Sequence, residues 1–379
     1  MFLLDLLLHF SFYLHDMLKQ LLKREVLLLK PVKKNILSNV KCSQLSNGEF
    51  RILFIGSDSL VSLPVLKFLH EEYRKITKTH SSISLNVLTR VLEKNLNPVA
   101  EYCLDNGLEI RNWDHLEESD GFASLKCDVG VLSSFGKLVP GELIDASKFG
   151  IVNIHPSLLP RWRGSSPLPR TILADDTHTG VSLMLLSPHK FDSGKIISQT
   201  TFEVPHDAFT EDLAKLALQN GIELLTNCLE NVENSVKKAE QQTKKGVTYA
   251  FKLKTSDSEI DWHKYTVADV WRLYRALSFK FPMRTEFNGK IVKLTEMIEP
   301  KYTSNSFIPN DFLSDHIKPG TACFSPLIEA ICIKCVDGFV GFKKVHIAGR
   351  KSLDALQFAN GYFNLRDSSV RFGAKRGKK

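Results

Sequence analysis

The segment from Ile151 to Gly164 reads IVNIHPSLLPRWRG, a short apolar strand followed at once by a loop rich in proline and arginine. Side chains alternate between the two faces of a β-strand, so Asn153 and His155 project to the same side. Pro156 ends the strand, because proline lacks the N–H that a sheet ladder needs. The pattern therefore predicts an amide and an imidazole side by side at a strand end.

A second polar element, Phe191-Asp192-Ser193-Gly194, follows the apolar run from 180 to 186, which predicts the next strand. An Asp-Ser-Gly alone is usually only a turn, and a single histidine near a strand end is more often a hydrogen-bonded structural residue. Asn153, His155 and Asp192 together, at neighbouring strand ends, are more specific. They predict a site that polarises a carbonyl group and moves a proton.

Further apolar segments predict strands upstream of this block, at 51–56, 83–88, 108–113 and 128–133. Helical segments separate most of them, including one that Ser62 and Pro64 open and that runs to about Ile76. This alternation favours an α/β fold with a Rossmann-like, mostly parallel sheet covered on both faces. Ligands bind at the carboxyl ends of such strands, where Ser133 and His155 lie. No dinucleotide fingerprint or P-loop occurs, which argues against NAD binding and ATP-driven chemistry.

The C-terminal half has a different pattern. A helix over 211–229 is expected to close the first domain, and the polar stretch 231–246 predicts a linker. After a helix over 267–277, strand-like segments near Arg284, Ile291, Ala322, Ile331 and Val340 favour a small OB-like β-barrel. The stretch from Arg371 to Lys379 carries five cations and no acid, so we expect a disordered basic tail.

The block from Asn153 to Gly164, together with 191–194, resembles the formyltransferase family that uses 10-formyltetrahydrofolate, in particular the branch that formylates methionyl-tRNA. The resemblance runs from about Arg51 to about Tyr362. It includes the segments 133–140, 176–181, 248–252 and 260–262, and the form of 188–194 is similar to that of the animal mitochondrial members.

The resemblance implies a transferase that moves the formyl group of 10-formyltetrahydrofolate to the α-amino group of initiator methionyl-tRNA, with no metal. Its implied domains are a mitochondrial presequence or disordered segment at 1–48, a formyltransferase catalytic domain at 49–232, a linker at 233–250, an OB-like tRNA-binding domain at 251–366 and a basic tail at 367–379. It also implies a monomer in the mitochondrial matrix, with no membrane partner.

Residue roles carry over from the family where the residue types match. Asn153 and His155 are expected to stabilise the formyl oxygen or move the amine proton, and Asp192 to orient the imidazole. The implied folate-binding residues are Phe135, Gly136, Lys137, Leu138, Pro140, Ser157, Leu158, Leu159, Pro160 and Leu186. The implied contacts to the tRNA acceptor end are Arg161, Trp162, Arg163, Gly164, Arg90 and Lys94. The alternative for this loop is structural: two salt bridges and a packed tryptophan.

Composition agrees with this assignment without deciding it. The formal net charge is +8 and the sequence pI is about 9.0, which favours a polyanionic partner such as RNA. The seven cysteines form no regular framework, which favours free thiols in a reducing compartment. Cys332 and Cys335 form a C-x-x-C without a second ligand pair, so a zinc role is disfavoured.

The first fifty residues are basic and amphipathic in part, which favours a mitochondrial presequence. Asp5, Asp16 and Glu25 count against it, because acids are scarce in such segments. A secretory signal fits less well, since no positive charge precedes the apolar run, and an inaccurate start site is a further alternative.

Two other functions stay open from the sequence. One is formyl transfer to a small amine, such as an amino sugar or glycinamide ribonucleotide; the C-terminal domain and basic tail argue against it. The other is an RNA-binding protein on an inactive formyltransferase fold, against which the intact Asn153, His155 and Asp192 argue. The loop from Thr89 to Pro98 is shorter than the basic loop of bacterial members, which weakens the expected role of Arg90 and Lys94.

Overall fold

The computed structural model describes residues 49–77, 83–92, 95–119, 121–188, 190–303, 305–314, 316–363 and 370–373. The expected presequence, Lys94 and most of the expected basic tail lie outside these residues. In the described part of the chain, no helix combines the length and the apolar composition needed to cross a membrane.

The N-terminal half contains a seven-stranded sheet in the order β5-β2-β1-β6-β7-β8-β9. The first five strands are parallel, and β8 and β9 are antiparallel to their neighbours. The sheet strands are β1 (Phe50–Gly56), β2 (Ile83–Thr89), β5 (Ile110–Asn112), β6 (Val129–Ser133), β7 (Ile151–His155), β8 (His178–Leu185) and β9 (Ile196–Glu203), while β3 (Val91–Leu92) pairs with β4 (Asn95–Leu96).

The mostly parallel sheet that the sequence predicts is confirmed, and its central strands explain the signal. Every residue of β6 and of β7 is buried, because both faces are covered. Strand β5 is shorter than the predicted segment 108–113, since the side chain of Asn112 accepts the N–H of Asp114 and begins a helix there.

Helices cover this sheet, and local signals set their ends. Asn97 accepts the N–H groups of Val99 and Ala100, Pro98 occupies the first turn, and Gly107 ends the helix with φ 66°. The helices are α1 (Ser62–Thr77), α2 (Pro98–Asn106), α3 (Trp113–Glu118), α4 (Gly141–Asp145), α5 (Pro167–Leu173), α6 (Thr210–Glu230) and α7 (Val232–Lys237), with a 3₁₀ turn at Gly121–Ser124.

Helix α6 lies very close to the strands that carry the candidate site. A Cβ on Gly221 would come within 2.6 Å of the Ile154 side chain, so only glycine permits this approach. The long apolar face of α6 thus covers β7 and β8 from one side. Asn153 and His155 project from the other face of β7, near the carboxyl end of the strand.

The segment 231–246, predicted as a linker, is structured in part. Helix α7 occupies its first half, and Glu240 exchanges two backbone hydrogen bonds with Ile196 of β9, of 2.7 and 2.9 Å. The chain therefore leaves the first domain along the edge of its sheet rather than as a free connection.

The C-terminal half is an antiparallel sheet in the order β10-β11-β14-β13-β12-β16, with β15 paired to β14. Its elements are α8 (Val267–Leu277), β10 (Met283–Phe287), β11 (Lys290–Met297), β12 (Thr321–Ser325), β13 (Ala330–Lys334), β14 (Phe339–Ile347), β15 (Leu353–Asp354), α9 (Ala355–Tyr362) and β16 (Val370–Arg371), with 3₁₀ turns at Thr255–Ser258, Pro300–Tyr302, Asn305–Phe307 and Asn310–Phe312. The second, smaller β-sheet domain that the sequence predicts is confirmed.

The two ends of this sheet meet, which closes it into a barrel. Gly373, two residues after the end of β16, donates its N–H to the carbonyl of Glu286 in β10, at 2.7 Å. The side chain of Phe372 is buried beside Phe287 and Phe358. The prediction of a disordered tail from Arg371 is therefore wrong for residues 371–373, because a buried aromatic ring anchors them.

The two halves share one hydrophobic core rather than meeting across a polar surface. Leu213 and Ala217 of α6 belong to the same buried cluster as Leu273 of α8 and Val340 of β14. Two buried hydrogen bonds cross the junction, from Thr210 Oγ1 to the carbonyl of Ala276 and from Arg275 Nη1 to the carbonyl of Ala208, both 2.8 Å. Burial lowers the pKa of Arg275 from its usual value.

Candidate active site

Asn153, His155 and Asp192 come together at the end of β7, as the alternation of side chains along that strand predicts. Asn153 Nδ2 donates to Asp192 Oδ1 at 3.3 Å, and His155 Nδ1 lies 3.5 Å from the same oxygen. All three side chains are at least nine-tenths buried. Asp192 follows β8, and the antiparallel pairing of β7 with β8 brings its loop back over the end of β7.

Both ring nitrogens of His155 face oxygen acceptors. Nε2 lies 2.9 Å from the carbonyl oxygen of Trp162, which can only accept, so Nε2 carries a proton. Nδ1 faces the Asp192 carboxylate. The imidazolium form donates to both oxygens, whereas the neutral ring donates to one of them. The site thus presents an oxygen acceptor to each ring nitrogen.

Backbone geometry completes the surroundings of Asp192. Its other oxygen, Oδ2, accepts the N–H of Gly164 at 2.8 Å, and Asp192 itself has a left-handed φ of 49°. Non-glycine residues rarely adopt such a conformation, and they do so where the surrounding contacts hold them. Each carboxylate oxygen therefore has a donor on the loop that follows β7 or on β7 itself.

The loop from 156 to 164 is fixed mainly by a set of side-chain-to-backbone hydrogen bonds. Ser182 of β8 donates to the carbonyl of Ser157 at 2.6 Å and accepts the N–H of Leu159 at 3.0 Å. Gln199 of β9 donates to the carbonyl of Leu159 at 3.0 Å, and Ser157 Oγ donates to the carbonyl of Arg161 at 2.7 Å. Ser157 and Leu159, predicted to border the folate, thus also hold this loop on the sheet.

A segment from the far side of the linker clasps the same loop. The N–H of Arg163 donates to the carbonyl of Thr248 at 2.9 Å, and the N–H of Ala250 donates to the carbonyl of Arg163 at 2.7 Å. Thr248 Oγ1 accepts the N–H of Trp162 at 2.9 Å. A Cβ on Gly164 would lie 2.6 Å from the Ala250 oxygen, so the close approach requires glycine. These residues form the clasp, defined as 248–250 against 162–164.

Gln242 connects the linker to the catalytic loop. Its Nε2 donates to the carbonyls of Asp192 and Gly194, at 2.9 and 2.8 Å. Its Oε1 accepts from Arg163 Nε and Nη2, at 3.0 and 2.6 Å. One amide therefore bridges the loop after β8 and the loop after β7, and Arg163 contributes to that bridge.

Arg161 and Trp162 share a carboxylate partner. Asp176 accepts from Arg161 Nε and Nη2, at 3.0 and 2.5 Å, and from Trp162 Nε1 at 2.8 Å. The guanidinium of Arg161 also lies 4.4 Å from the centre of the Trp162 ring. The structural alternative for this loop, with paired arginine and packed tryptophan, is thus present in the fold for these two residues, whereas the partner of Arg163 is an amide.

A second loop, after β6, borders the same strand ends. Ser134 and Gly136 adopt left-handed φ values of 48° and 79°. Ser62 of α1 donates its hydroxyl to the carbonyls of Ser133 and Ser134. The Oγ of Ser133 is buried and has no hydrogen-bond partner among the residues that the structure describes. A buried hydroxyl of this kind suits the polar edge of a bound molecule.

Apolar side chains flank the opening between this loop and the loop of Asp192. A Cβ on Gly141 would lie 3.9 Å from Cβ of Pro188, so the two loops approach each other there. Leu138 of the first loop is 42% exposed and Phe191 of the second loop is 57% exposed. Exposed apolar side chains near a buried polar group suit the binding of a flat heterocycle.

Lys137 and Arg90 are held by carboxylates near this opening. Asp114 accepts from Arg90 Nε at 3.1 Å and from Lys137 Nζ at 3.3 Å. Burial opposes the change, but these hydrogen bonds together lower the pKa of Asp114. A hydrogen bond to Glu117, stronger than the opposing effect of burial, raises the pKa of Lys137. Both cations, assigned from the sequence to folate and tRNA, therefore have partners within the domain.

Of the remaining residues predicted to contact the folate, some pack in the hydrophobic core and others lie in the loops around the site. The Phe135 ring packs on Trp113 in the core, with ring centres 4.6 Å apart, so only its backbone is free to face a ligand. Pro140 begins α4, Pro160 accepts the N–H of Thr248, and Leu158 lies against Gly180. The N–H of Leu186 donates to the carbonyl of Ile151.

Sequence reasoning missed Asp176 as a partner of the loop, and it missed Gln242 and the clasp. Asp176 and Thr248 lie in segments that carry the family resemblance, but the resemblance assigned no contact or function to either residue. Gln242 stands in a polar stretch that gave no signal, because its partners lie about fifty to eighty residues away in the sequence.

Comparison with known families gives two matches. Residues 75–229 match the model described as formyl transferase, and residues 252–363 match the model described as formyl transferase, C-terminal domain. The human protein named mitochondrial methionyl-tRNA formyltransferase is 32% identical over 324 residues, covering 83% of this chain and 78% of its own length. The methionyl-tRNA formyltransferase of Fusobacterium nucleatum is 27% identical, covering 83% of this chain and 97% of its own.

Solved structures share the fold at low identity. HypX from Aquifex aeolicus in complex with tetrahydrofolic acid is 18% identical with a TM-score of 0.57, over 86% of this chain and 51% of HypX. The chain thus spans about half the length of HypX. An N-formyltransferase from Helicobacter canadensis with folinic acid and dTDP-3-aminofucose is 18% identical with a TM-score of 0.52, over 77% of this chain and 98% of its own.

Proposed function

The chain belongs to the methionyl-tRNA formyltransferase family, and from this premise we propose that it transfers the formyl group of 10-formyltetrahydrofolate to the α-amino group of initiator methionyl-tRNA. The observation that carries the proposal is the buried cluster of Asn153, His155 and Asp192, in which the amide and the imidazole each lie within 3.5 Å of the carboxylate. The two matched domains and the identity to methionyl-tRNA formyltransferases support it.

In this proposal the formyl donor lies between the loop after β6 and the loop of Asp192. The pterin takes the buried Ser133 hydroxyl and backbone groups from 135 to 140 as polar partners, and Leu138 and Phe191 cover its apolar faces. Leu186 and the segment 157–160 border the rest of the folate. Formyl transfer by the side chains named here requires no metal ion.

The reaction breaks the bond between the formyl carbon and N10 of the folate and forms one between that carbon and the α-amine. The amine loses a proton and N10 gains one, so atoms and charge balance. Negative charge develops on the formyl oxygen, and the Asn153 amide supplies an N–H group that lowers this barrier. His155 carries the proton between the two nitrogens, since an imidazole nitrogen can both accept and donate a proton.

Asp192 positions the other two side chains, because its Oδ1 accepts from Asn153 Nδ2 and faces Nδ1 of His155. The Trp162 carbonyl holds Nε2 at 2.9 Å, so the ring acts on substrate through Nε2 when that hydrogen bond is exchanged for one to the substrate. The Arg161–Gly164 loop carries this carbonyl and is also the loop that we assign to the acceptor end. Arrival of the acceptor at this loop is the step that frees the nitrogen.

The biological setting is part of the same proposal. The mammalian relatives carry the name mitochondrial methionyl-tRNA formyltransferase, so we assign the chain to translation initiation in mitochondria and place it in the matrix, with residues 1–48 as a presequence. The domain limits 49–232, 233–250 and 251–366, and the monomeric state, are proposed with it. Import of the chain fused to a reporter, and sedimentation of the purified protein, test these points.

The central experiment is formylation of methionyl-tRNA by the purified protein with 10-formyltetrahydrofolate, beside His155→Ala and the exposed control His206→Ala. We expect activity in the parent and in the control, and a loss of about a thousandfold or more in His155→Ala, because the variant lacks both the proton carrier and a donor at the oxyanion. A folded, folate-binding parent that formylates no tRNA would contradict the proposal.

A small-amine acceptor is the second candidate, and the fold shared with the Helicobacter canadensis enzyme motivates it. The same assay with a nucleotide-linked amino sugar in place of methionyl-tRNA separates the two. Turnover of the sugar at a rate equal to that of the tRNA would favour the second candidate. Binding of tRNA without any formyl transfer would favour the inactive RNA binder.

A further inference from the structure

Two aromatic rings stand exposed beside the clasp. Tyr249 is 55% exposed and Phe251 70% exposed, although residues of this size are usually well covered in a folded protein. Their ring centres are 5.7 Å apart and their planes differ by 16°, so the rings form an offset stack. Ala250 between them is fully buried. The alternation of an extended segment thus turns both rings outward and the small residue inward.

The backbone under this pair is held firmly. The N–H of Ala250 donates to the carbonyl of Arg163, and its carbonyl accepts the N–H of Ser166 at 3.1 Å. Arg170 of α5 donates to the carbonyl of Phe251 at 3.4 Å and pairs with Asp257 at 3.2 Å. Rings on a fixed backbone present a flat surface without a large cost in lost freedom when a partner binds.

Tyr249 and Phe251 lie beside the loop that contacts the candidate site. Tyr249 forms a parallel bridge with Arg163, and the residues on either side of Arg163 are Trp162 and Gly164. The carbonyl of Trp162 contacts His155, and the N–H of Gly164 contacts Asp192. A molecule that lies on the two rings is therefore directed toward the loop that covers the reacting groups.

Charge next to the pair favours a polyanion. The segment from 241 to 254 contains Lys244, Lys245, Lys252 and Lys254 and no acidic residue. All four lysines are exposed. Cations that alternate with aromatic rings are the usual composition of surfaces that bind single-stranded nucleic acid, in which phosphates take the charges and bases take the rings.

We propose that Tyr249 and Phe251 form a stacking platform for the unpaired 3′-terminal bases of the acceptor tRNA, with Lys244, Lys245, Lys252 and Lys254 as phosphate contacts. This inference rests on the proposed function, because it assigns the acceptor of that reaction to a surface. The platform holds the end of the strand so that the aminoacyl group reaches His155. Bases stack on it without regard to identity, so it positions the acceptor and reads no sequence.

The kinetic test compares three proteins with the parent. The double variant Tyr249→Leu/Phe251→Leu keeps apolar side chains and loses the flat rings; Tyr249→Phe/Phe251→Tyr keeps both rings; Leu104→Ala changes a leucine on α2 that is 60% exposed. We expect KM for methionyl-tRNA to rise about tenfold in the leucine pair, as the loss of one stacked base implies. KM for the folate donor stays at the parent value, and the ring-exchanged variant and Leu104→Ala match the parent for both substrates.

A binding test without catalysis separates this inference from the proposed function. A hairpin RNA with a four-base single-stranded 3′ end is compared with the same hairpin lacking that end. The parent binds the overhang hairpin about tenfold more tightly, and the leucine pair binds both hairpins alike. Lys244→Ala/Lys245→Ala weakens binding of both hairpins and reduces the salt dependence, while the leucine pair leaves the salt dependence unchanged.

Each outcome has one consequence. A parent that formylates methionyl-tRNA while the leucine pair keeps the parent KM overturns the platform and leaves the proposed function standing. A parent that prefers the overhang hairpin but formylates no tRNA overturns the proposed function and supports the platform. An equal loss of affinity for both hairpins in the leucine pair also overturns the platform, because the rings would then contribute to the fold rather than to the strand end.

Discussion

Asp192 is the residue on which the site depends. It accepts from the Gly164 N–H and from Asn153, it faces His155, and its own backbone takes a left-handed conformation to do so. Oδ2 accepts the N–H of Gly164, and losing that hydrogen bond from a buried, charged oxygen costs about 1–3 kcal/mol or more. The catalytic geometry is therefore sensitive to small changes in the two loops around this carboxylate.

Gly164 offers a sharp test of that sensitivity. Its φ is 123°, and an added Cβ would lie 2.6 Å from the carbonyl oxygen of Ala250. We expect Gly164→Ala to lower stability by about 1–3 kcal/mol and to reduce kcat, because the N–H that Asp192 accepts must move. Thermal unfolding and steady-state formylation measure the two effects.

Gly107→Ala is the matched control for this change. Gly107 also has a positive φ, of 66°, but an added Cβ there meets no atom within 4 Å. It therefore suffers only the backbone strain, about 1–2 kcal/mol, and keeps the parent kcat. Equal loss of activity in both variants would contradict the role given to the Gly164 contact.

At this scale the sequence predicted which residues come together better than it predicted their hydrogen bonds. The two-residue spacing of Asn153 and His155 is enough to put them on one face, because strand geometry is local. The bond from Gly164 to Asp192 was not predictable, since it depends on a left-handed backbone at a non-glycine residue. Nor was the pairing of Arg161 and Trp162 with Asp176, which needs the loop conformation and not only the residue types.

Among the elements, the linker contributes more to the site than its sequence indicates. Gln242 bridges Arg163 and the carbonyls of Asp192 and Gly194 with one side chain. The two loops that carry the proposed chemistry are therefore held together by a residue outside the first matched domain and before the second. The polar composition of this segment predicted a linker between the two domains. It did not predict the partners of Gln242, which depend on the path of the backbone in the folded protein.

Gln242→Ala tests this bridge, with its exposed neighbour Gln241→Ala as control. We expect kcat to fall about tenfold in Gln242→Ala, because two carbonyls and one guanidinium lose their partner and the loop of Asp192 shifts. The folding stability falls by about 1–3 kcal/mol. A Gln242→Ala enzyme with parent kcat, or a Gln241→Ala enzyme with the same defect, would argue against the bridge.

At the scale of the whole molecule, the two sequence domains are joined through a common hydrophobic core. Residues of α6, α8 and β14 share one core, and buried hydrogen bonds join Thr210 to Ala276 and Arg275 to Ala208. The apolar runs of the first domain and the alternating strands of the second were readable separately. Their common core could not be predicted, because the hydrophobic pattern of each half is explained by its own sheet. The contacts between the halves join residues far apart in the sequence.

We therefore expect one unfolding transition in calorimetry of the intact protein, with equal calorimetric and van't Hoff enthalpies. A fragment ending at Gly246 loses the side chains of α8 and β14 that share a core with Leu213 and Ala217 of α6, so it is expected to aggregate or to bind a hydrophobic dye. Two well-separated transitions, or a monomeric fragment with native near-ultraviolet dichroism, would show that the halves fold independently. Point variants rather than deletions are thus the appropriate probes of the acceptor.

The cysteines give a second prediction for the whole molecule. All six in the described residues are buried, and burial raises the pKa of Cys103 to about 11 and that of Cys335 to about 12. Because the thiolate is the reactive form, these groups resist alkylation at neutral pH in the native state. Mass spectrometry after iodoacetamide treatment should find them modified only in denaturant; rapid modification of Cys103 in native protein at pH 7 would contradict the burial.

The closing bond of the barrel has a consequence for synthesis on the ribosome. Gly373 joins the last described strand to β10, some ninety residues earlier in the sequence. Until residue 373 has left the exit tunnel, β10 and β12 each remain an open sheet edge on a chain that is already long. Such edges pair readily with other chains. The nascent protein is therefore exposed to aggregation through these edges until the segment around Gly373 has emerged and the barrel can close.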